Sequence, residues 1–471
     1  MAGRSVIGSL ALIRVLVWSL CIGSTAIVPS AALRAADEKP DELLQMVVGL
    51  LGDKDKQFRS AGLDQVRHEA KGPAATKLFA AQLPKLDASA QVGLLGALAD
   101  RGDVLARPAV LDLLAASPDE NVRGAAIEAL GKLGGPADLP LLVKSLSAKS
   151  DVEKSAARAS LARLSGETVS NALAAEAKSA PPAVKAALIE VLATRRAADQ
   201  LPAFVKASVD DDAQVRTAAM SALGQIGQPQ QIAEMLPGVL KAAKGAERDA
   251  AEKNVALVCS RIEKDDERGA AVIKALDGVS PAERDQLLSL IGRVGGKKLI
   301  NFVGEIATGS DASRRQLGID ALGKWPDGSV AAKLLEITTH ATDPAERSLA
   351  FQAYVKNCAT RDKRKDLERL DRLKQAMKIA QTPEEQSLVI NRARTAYDVE
   401  SLRFVLPYVD QPKFAQLACE TIVELAHHRE IRDPNKAEFD KALDKVIQTS
   451  KNAVVVDRAN RYKRGETWAR Q

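Results

Sequence analysis

The stretch DENVRGAAIEALGKLGG, residues 119–135, recurs in modified form elsewhere in the chain. DAQVRTAAMSALGQIG occupies residues 212–227, and DASRRQLGIDALGKW occupies residues 311–325. Each copy starts with an aspartate, carries an arginine four residues later, and continues with small and aliphatic residues at helical spacing. The copies therefore predict one type of helix that is repeated along the chain.

A ladder of equivalent positions extends this repeat through most of the sequence. With Arg123 as the reference, most steps along the ladder are 30–32 residues long, and the two long steps are 36 residues to Arg284 and 39 residues to Gln386. Most of the positions are cationic, so the repeat favours Arg or Lys there. The ladder consists of Arg59, Gln91, Arg123, Lys154, Lys185, Arg216, Arg248, Arg284, Arg315, Arg347, Gln386 and Gln416.

Each repeat contains a first helix, a turn rich in Pro, Asp and Ser, and a second helix rich in alanine. Gly131, Gly224, Gly292 and Gly323 are typical of helix ends, so we expect the second helices to stop there. Two short helices cannot bury both of their apolar faces alone, whereas stacked neighbours can. We therefore predict an all-α fold, an α-solenoid (superhelix) of about twelve helical pairs.

The pattern D-x-x-V-R-x-A-A-x-x-A-L-G, at 119–131 and 212–224, resembles the HEAT repeat, in particular its short, Ala-rich form, the PBS-lyase HEAT-like repeat. The resemblance covers roughly residues 40–448. It implies a solenoid that binds other macromolecules and shares no active site with its family. In similar exported bacterial proteins, such modules often accompany sugar-active or redox domains.

Residues 1–35 have the composition of a secretory signal peptide. Arg4 and Arg14 form a basic start, an apolar run follows at 15–28, and small residues come next. We therefore expect an exported protein, periplasmic or secreted, with no membrane span after cleavage. Cys259, Cys358 and Cys419 remain in the mature chain, and their odd number and wide spacing predict no disulfide framework.

The net charge of +6 drops once the three arginines of the first 35 residues are removed, which leaves a nearly neutral chain. Only 3% of the residues are aromatic, so few side chains could stack on bases. Composition therefore predicts no nucleic-acid partner.

Five repeats pair an aspartate with the ladder cation four residues later. We expect the aspartate to cap the second helix, and the arginine to reach that carboxylate or a carbonyl of the next repeat. An anion-binding or catalytic row is the alternative, but five copies at one register position favour a structural role. The pairs are Asp55/Arg59, Asp119/Arg123, Asp212/Arg216, Asp311/Arg315 and Asp343/Arg347.

No motif in the chain specifies an enzyme or a cofactor, and we expect neither. The strongest metal-like pattern is Glu420, Glu424 and His428, which are four residues apart and share one face of a predicted helix. A solvated helix face gives the same pattern, and that interpretation is favoured.

Two segments depart from the repeat and are the candidates for partner contact. The first, residues 361–378, is basic and accounts for the 39-residue step. The second is a basic C-terminal tail at 451–471, placed after a solenoid at 36–450. The candidate contacts are Arg364, Lys365, Arg369, Arg372, Arg461, Tyr462, Lys463, Arg464 and Trp468.

These features predict a monomeric, non-enzymatic, exported scaffold that binds a protein partner. One alternative is an accessory subunit of a sugar-active or redox enzyme system, and another is a lyase-like accessory enzyme. A third is a binder of membrane surfaces or anionic polymers that uses the two basic segments.

Overall fold

The computed structural model describes residues 42–69 and 71–468, and within these ranges every regular element is helical. The all-α prediction is therefore confirmed. The signal peptide predicted at 1–35 lies outside the described residues. In the part of the chain that is described, no helix is long and apolar enough to cross a bilayer.

The chain forms two compact units, Met1–Gly166 and Glu167–Gln471. In the described residues of the first unit, eight helices form four pairs, in which a first helix is followed by a second. They are α1 (42–51) with α2 (Lys56–Asp64), α3 (Pro73–Ala80) with α4 (Ala88–Arg101), α5 (Arg107–Ala116) with α6 (Glu120–Leu133), and α7 (Leu139–Ser145) with α8 (Asp151–Arg163).

The second unit continues the pattern with pairs 5 to 13. Pairs 5 to 8 are α9 (Val169–Ser179) with α10 (Pro182–Thr194), α11 (Leu201–Ala207) with α12 (Ala213–Ile226), α13 (Ile232–Lys241) with α14 (Ala246–Cys259), and α15 (Asp265–Ala275) with α16 (Pro281–Gln286) and α17 (Leu288–Val294). Pairs 9 to 11 are α18 (Lys297–Ala307) with α19 (Ala312–Leu322), α20 (Ala331–His340) with α21 (Pro344–Cys358), and α22 (Asp366–Ile379) with α23 (Pro383–Ala393). Pair 12 is α24 (Val399–Val405) with α25 (Ala415–His427); the short α26 (Arg429–Arg432) follows, and pair 13 is α27 (Lys436–Thr449) with α28 (Ala453–Lys463).

Both units are α-solenoids in which the second helices of successive pairs pack against one another. Their cores are aliphatic: Leu94 and Leu130 in the first unit and Leu223 and Val255 in the second are fully buried on second helices. Trp325 occupies the position that Leu133 fills in pair 3, and it is likewise buried. Each interior is therefore a row of stacked interfaces, as expected of repeat proteins.

Three of the four glycines that were expected to end second helices lie inside a helix instead. Gly131 lies inside α6, which continues to Leu133, and a Cβ atom on it would lie 2.7 Å from the Cα of Ser160 in the next pair. Gly292 lies inside α17, where a Cβ atom would lie 2.0 Å from the carbonyl oxygen of Ala321. Gly224 is likewise inside α12, whereas Gly323 is the C-cap of α19. The helix-end prediction was therefore wrong for Gly131, Gly224 and Gly292, which instead allow neighbouring second helices to approach closely.

Helical packing continues past residue 450. The helix α28 packs on α27 and α25, and its residues Val455 and Tyr462 are buried in the same core as Phe439 and Val446 of α27. In the described residues there are thus thirteen pairs, one more than the approximate number that the sequence predicts. The second helix of pair 13 lies within the segment predicted as a tail.

Candidate interaction surface

The five aspartates of the Asp/Arg pairs all occupy N-cap positions. Asp119 accepts hydrogen bonds from the backbone N–H groups of Asn121 and Val122, and Asp212 accepts from those of Gln214 and Val215. Asp55, Asp311 and Asp343 cap α2, α19 and α21 in the same way. Each aspartate thereby satisfies backbone donors that the first turn of a helix leaves free.

The arginines bind elsewhere. Arg216 Nη1 donates to the backbone carbonyls of Asp210 and Asp211 at 2.8 Å, in the turn before its own helix. Its Nε and Nη2 donate to the two carboxylate oxygens of Glu247 in the next pair, at 2.8 and 3.1 Å. Arg216 therefore holds its own turn and ties pair 6 to pair 7. The carboxylate of its capping residue, Asp212, is not among the hydrogen-bond partners of the Arg216 guanidinium.

The tie from a ladder arginine to a glutamate of the next pair, named here the Arg–Glu clasp, recurs at three other ladder positions. Each arginine donates to a glutamate that immediately precedes the ladder position of the next pair. Of the two partners predicted for the arginine, the carboxylate of its own repeat is not the one bound, because the guanidinium extends across the stack. The other, a carbonyl of the next repeat, is bound by Arg347, whose Nη2 donates to the carbonyl of Ile379 at 2.8 Å. The other clasps are Arg123–Glu153, Arg315–Glu346 and Arg347–Glu385.

Arg59, the first arginine of the ladder, makes only the local half of this arrangement. Its Nη1 donates to the carbonyls of Asp53 and Lys54 at 2.6 and 3.2 Å. The residue before the next ladder position is Ala90, which offers no carboxylate. Arg59 therefore has no glutamate at that position with which to form a clasp.

A polar groove of about 880 Å³ lies among loops of the second unit that join one pair to the next. Ten of its lining residues are charged, five of each sign, so it carries no net charge. In the basic segment predicted at 361–378, the residues before the helix α22 are 361–365, and residues 361–364 lie in the wall of the groove. The lining residues are Glu263, Asp265, Arg268, Pro326, Asp327, Gly328, Ser329, Arg361, Asp362, Lys363, Arg364, Glu368 and Arg372.

One carboxylate organises the wall of this groove. Asp362 accepts hydrogen bonds from the backbone N–H groups of Gly328 and Arg364, at 2.8 and 3.0 Å, and from Arg364 Nε at 2.7 Å. Burial by itself would raise the pKa of Asp362, but these hydrogen bonds outweigh it and lower the pKa to about 2. Asp362 is therefore ionised at neutral pH and joins two loops of the groove.

Arg364 and Gly328 fit against each other in the same network. Arg364 Nη2 donates to the carbonyls of Asn357 and Thr360, at 3.1 and 3.2 Å, while its buried Nη1 has no hydrogen-bond partner. A Cβ atom at position 328 would overlap Arg364 Cζ, so a larger residue there would displace this guanidinium. The loops of the groove are thus held in one arrangement before any partner binds.

The predicted contacts of this segment divide into buried and exposed residues. Arg369 is 3% exposed and donates to the carbonyl of Arg364, and Arg372 donates to the carbonyl of Gly328. The proposal of partner contact is therefore corrected for Arg369, whose guanidinium fixes the loop from inside. Lys365 is exposed, and so are two cations that the sequence did not single out, Arg361 and Lys363.

The predicted contacts of the tail also divide. Tyr462 is 2% exposed, so partner contact is corrected for this residue as well: its ring belongs to the core, and its hydroxyl lies 3.0 Å from His427 Nδ1. Trp468 packs on the edge of that core, 4.7 Å from the guanidinium of Arg458. Arg461, Lys463 and Arg464 form ion pairs with the nearby Asp457, Asp444 and Glu466.

The Glu/Glu/His pattern of pair 12 does not stay on one helix face. The helix α25 ends at His427, so His428 leaves the helical spiral and lies against Tyr397, with ring centroids 3.8 Å apart. Glu424 accepts a hydrogen bond from Arg458 at 2.6 Å, and Glu420 accepts one from Gln416 at 2.9 Å. Within the described residues, no group of three or more His, Cys, Asp and Glu side chains is placed to hold a metal ion.

The three cysteines of the described chain are free thiols, and all three are buried. Burial raises the pKa of Cys259 to about 12, and that of Cys358 and Cys419 to about 11. At neutral pH the three side chains are therefore protonated and pack as small apolar groups.

Comparison with known proteins identifies one family in part of the chain. The family model described as HEAT repeats matches residues 75–162 and 170–256, which are pairs 2 to 4 and pairs 5 to 7. No curated protein matches the chain significantly.

Solved structures of karyopherins are also similar. Kap121p bound to the extreme C-terminus of the protein phosphatase Cdc14p matches with a TM-score of 0.47 and 12% identity, over 95% of this chain and 57% of that chain. Kap95p, from a structure with RanGDP, matches with a TM-score of 0.47 and 14% identity, over 89% of this chain and 62% of that chain. The chain therefore spans less than two thirds of the length of these karyopherins. Over residues 75–162 and 170–256, it is similar to HEAT repeats.

Proposed function

We propose that this chain is a non-enzymatic scaffold that binds a protein partner through the polar groove of its second unit. The observation that carries the proposal is the groove itself, whose walls are fixed by Asp362 and Arg364. A site that is already ordered loses less conformational entropy on binding, so more of its contact energy appears as affinity.

The lining of the groove favours a protein segment over a small molecule. Small-molecule sites are mostly apolar, with a few polar groups that fix orientation. Here the lining is mainly charged, with both signs interleaved, and the exposed side chains include Arg361, Lys363, Glu368 and Ser329. Such a surface complements the polar rim of a protein partner.

Aromatic side chains lie next to Arg361, which belongs to the wall of the groove. The guanidinium of Arg361 lies 4.5 Å from the centroid of the Tyr397 ring, and the same ring stacks on His428. Arg and Tyr are enriched among the residues that contribute most to protein interfaces. This stack gives the proposed interface an anchor beside the charged loops.

We further propose that the protein is exported and monomeric, and that its repeats are of the short, Ala-rich type. Support for export comes from the basic start, apolar run and small residues within 1–35. Support for the repeat type comes from the alanines that follow the ladder arginine, as at Ala125–Ala126 and Ala218–Ala219. N-terminal sequencing of the protein from fractionated cells tests export, since a mature start near residue 36 is expected and an intact residue 1 in the cytosol contradicts it.

Cross-linking with mass spectrometry in the native cell envelope tests the binding function. The double variant Arg361→Glu/Lys363→Glu reverses two exposed charges of the groove, and Lys206→Glu/Lys241→Glu reverses two charges of the same unit outside it. We expect wild type and the second variant to recover the same partner, with cross-links at the groove, and the first variant to lose it. Failure to recover any reproducible partner, or equal recovery by the groove variant, would contradict the proposal.

A further inference from the structure

Four neighbouring second helices of the second unit carry a cation near their C-terminal ends. Arg293 lies in α17, Lys324 follows the C-cap residue of α19, Lys356 lies in α21, and Arg392 lies in α23. The first three share one register, nine residues after the ladder positions of pairs 8, 9 and 10. Because α17, α19, α21 and α23 pack side by side in that order, the four cations form one row, named here the cation row.

The charges of the cation row act on one another. Burial lowers the pKa of Lys356, and the positive charges of Lys324, Arg293 and Arg392 lower it further, while Asp320 opposes them. Like charges held together cost free energy in the unbound protein. A negatively charged ligand would remove that cost.

Neutralisation within the protein is uneven along the row. Arg293 donates to Glu252 at 2.9 Å and forms an ion pair with Asp249. Lys324 Nζ donates to the hydroxyl of Ser289, which carries no charge. Arg392 Nε is buried without a hydrogen-bond partner. Lys324, Lys356 and Arg392 therefore keep uncompensated positive charge, unused hydrogen-bond donors, or both.

A structural role offers a competing explanation. Cations near the last turn of a helix interact favourably with the helix dipole, by roughly 0.3–1 kcal/mol each. That effect belongs to each helix alone and gives no reason for four cations on adjacent helices. The two explanations differ in a measurable way, because dipole compensation makes each lysine stabilising, whereas repulsion within the row does not.

The spacing of the row indicates the shape of its ligand. Packed helices lie roughly 8–10 Å apart, so neighbouring cations are separated by about that distance. A peptide in the extended polyproline II conformation advances about 3.1 Å per residue with three residues per turn, so side chains at every third position share one face and match one step of the row. Duplex DNA carries a charge about every 1.7 Å along its axis, far denser than the row.

We propose that the cation row binds an extended acidic segment of a protein, with carboxylates at about every third residue. This rests on the proposed function in taking the ligand to be a protein, but its site is separate from the groove. Lys324, Lys356 and Arg392 each receive one carboxylate, and the segment lies across the ends of the second helices that carry them. Arg293, already paired with Glu252 and Asp249, borders this site.

Fluorescence anisotropy tests this with the purified full chain and a labelled twelve-residue peptide that has glutamate at every third position, among Gly and Ser. At about 0.05 M salt the Debye length exceeds 10 Å, so charge recognition is retained. We expect Lys324→Gln/Lys356→Gln to weaken binding at least about tenfold, and Lys324→Arg/Lys356→Arg to restore it. Lys132→Gln is the matched control, since Lys132 has the same register in pair 3 but is neutralised by Asp100 at 2.7 Å.

Three outcomes would overturn the inference: no binding of the spaced peptide, equal binding of a peptide with four contiguous glutamates, or equal binding of an oligonucleotide or sulfated oligosaccharide of the same charge. The groove variant Arg361→Glu/Lys363→Glu separates the two proposals. We expect it to bind the peptide like wild type even though it loses the protein partner. If it binds the peptide while no partner is ever recovered, the groove proposal fails and the row stands.

Discussion

The Arg–Glu clasps and the cation row are both made of cations that recur at a fixed register, yet they differ in what accompanies the cation. In the clasp, a glutamate of the next pair meets each arginine, as Glu247 meets Arg216. In the row, three cations and one carboxylate, Asp320, act on Lys356, so positive charge prevails. Repetition alone therefore does not separate a structural residue from a binding residue. The charge of the neighbour on the next helix does.

The largest effect is expected from breaking the clasp whose arginine is the most buried. Arg216→Ala should lower the free energy of unfolding around pairs 6 and 7 by about 3 kcal/mol, because it leaves a largely buried carboxylate and two carbonyls without a donor. Urea denaturation, with hydrogen exchange of α12 and α14 to locate the change, measures it.

Graded controls sharpen this prediction. Arg123→Ala removes a clasp whose arginine is 28% exposed, and we expect about 1 kcal/mol. Lys241→Ala removes an exposed ion pair with Asp211, and we expect less than about 0.5 kcal/mol. Equal losses in the three variants would show that the clasp is no more than a surface ion pair.

A smaller effect is expected from acid. The hydrogen bond from Arg216 lowers the pKa of Glu247 below its ordinary value of 4.5. Because the folded-state pKa is the lower one, this pair stabilises the protein fully above about pH 4.5, and its contribution is lost as the pH falls below that value. Denaturation of wild type and Glu247→Gln between pH 7 and pH 3 measures this. The stability difference should shrink with falling pH, and a difference that stays constant would contradict the assignment.

The smallest effect is expected in the cation row. Lys356→Gln should leave the free energy of unfolding within about 0.5 kcal/mol of wild type, or raise it slightly, because it removes repulsion. The lowered pKa of Lys356 also leaves more of its amine uncharged below pH 10, so an acylating reagent should label it faster than a free model lysine. A clear loss of stability in Lys356→Gln would indicate dipole compensation and would remove the contrast with the clasp.

The fold could be predicted from the sequence because helix period, turn composition and repeat length all indicate the same architecture. The capping position of Asp119 follows from its place before an apolar helix. The partner of Arg123 was missed, although a signal was present: Glu153, Glu247, Glu346 and Glu385 all precede a ladder position. That signal has meaning only when two repeats are laid side by side, because the contact crosses between them.

Other misses have physical causes of the same kind. Within a single repeat, Gly131 resembles a helix-ending glycine. Its contact with Ser160 of the next pair shows that the lack of a side chain at Gly131 allows the two helices to approach closely. The helix α28 was missed because it lacks the aspartate, the arginine and the usual step, although it buries Val455 and Tyr462. The basic residues of 361–378 suggested a surface for partner contact, but the guanidinium of Arg369 is buried because loop carbonyls need hydrogen-bond donors.

The buried thiols give the second unit its own set of local probes. Cys259 and Cys358 occupy the same register in pairs 7 and 10, and Cys419 lies in pair 12. A protonated, buried thiol reacts only when the surrounding helices open locally. The rate at which each cysteine is modified therefore reports how often that part of the stack opens. Peptide mapping after timed alkylation of the wild-type protein would thus measure local opening at three places in the second unit, with no residue substituted.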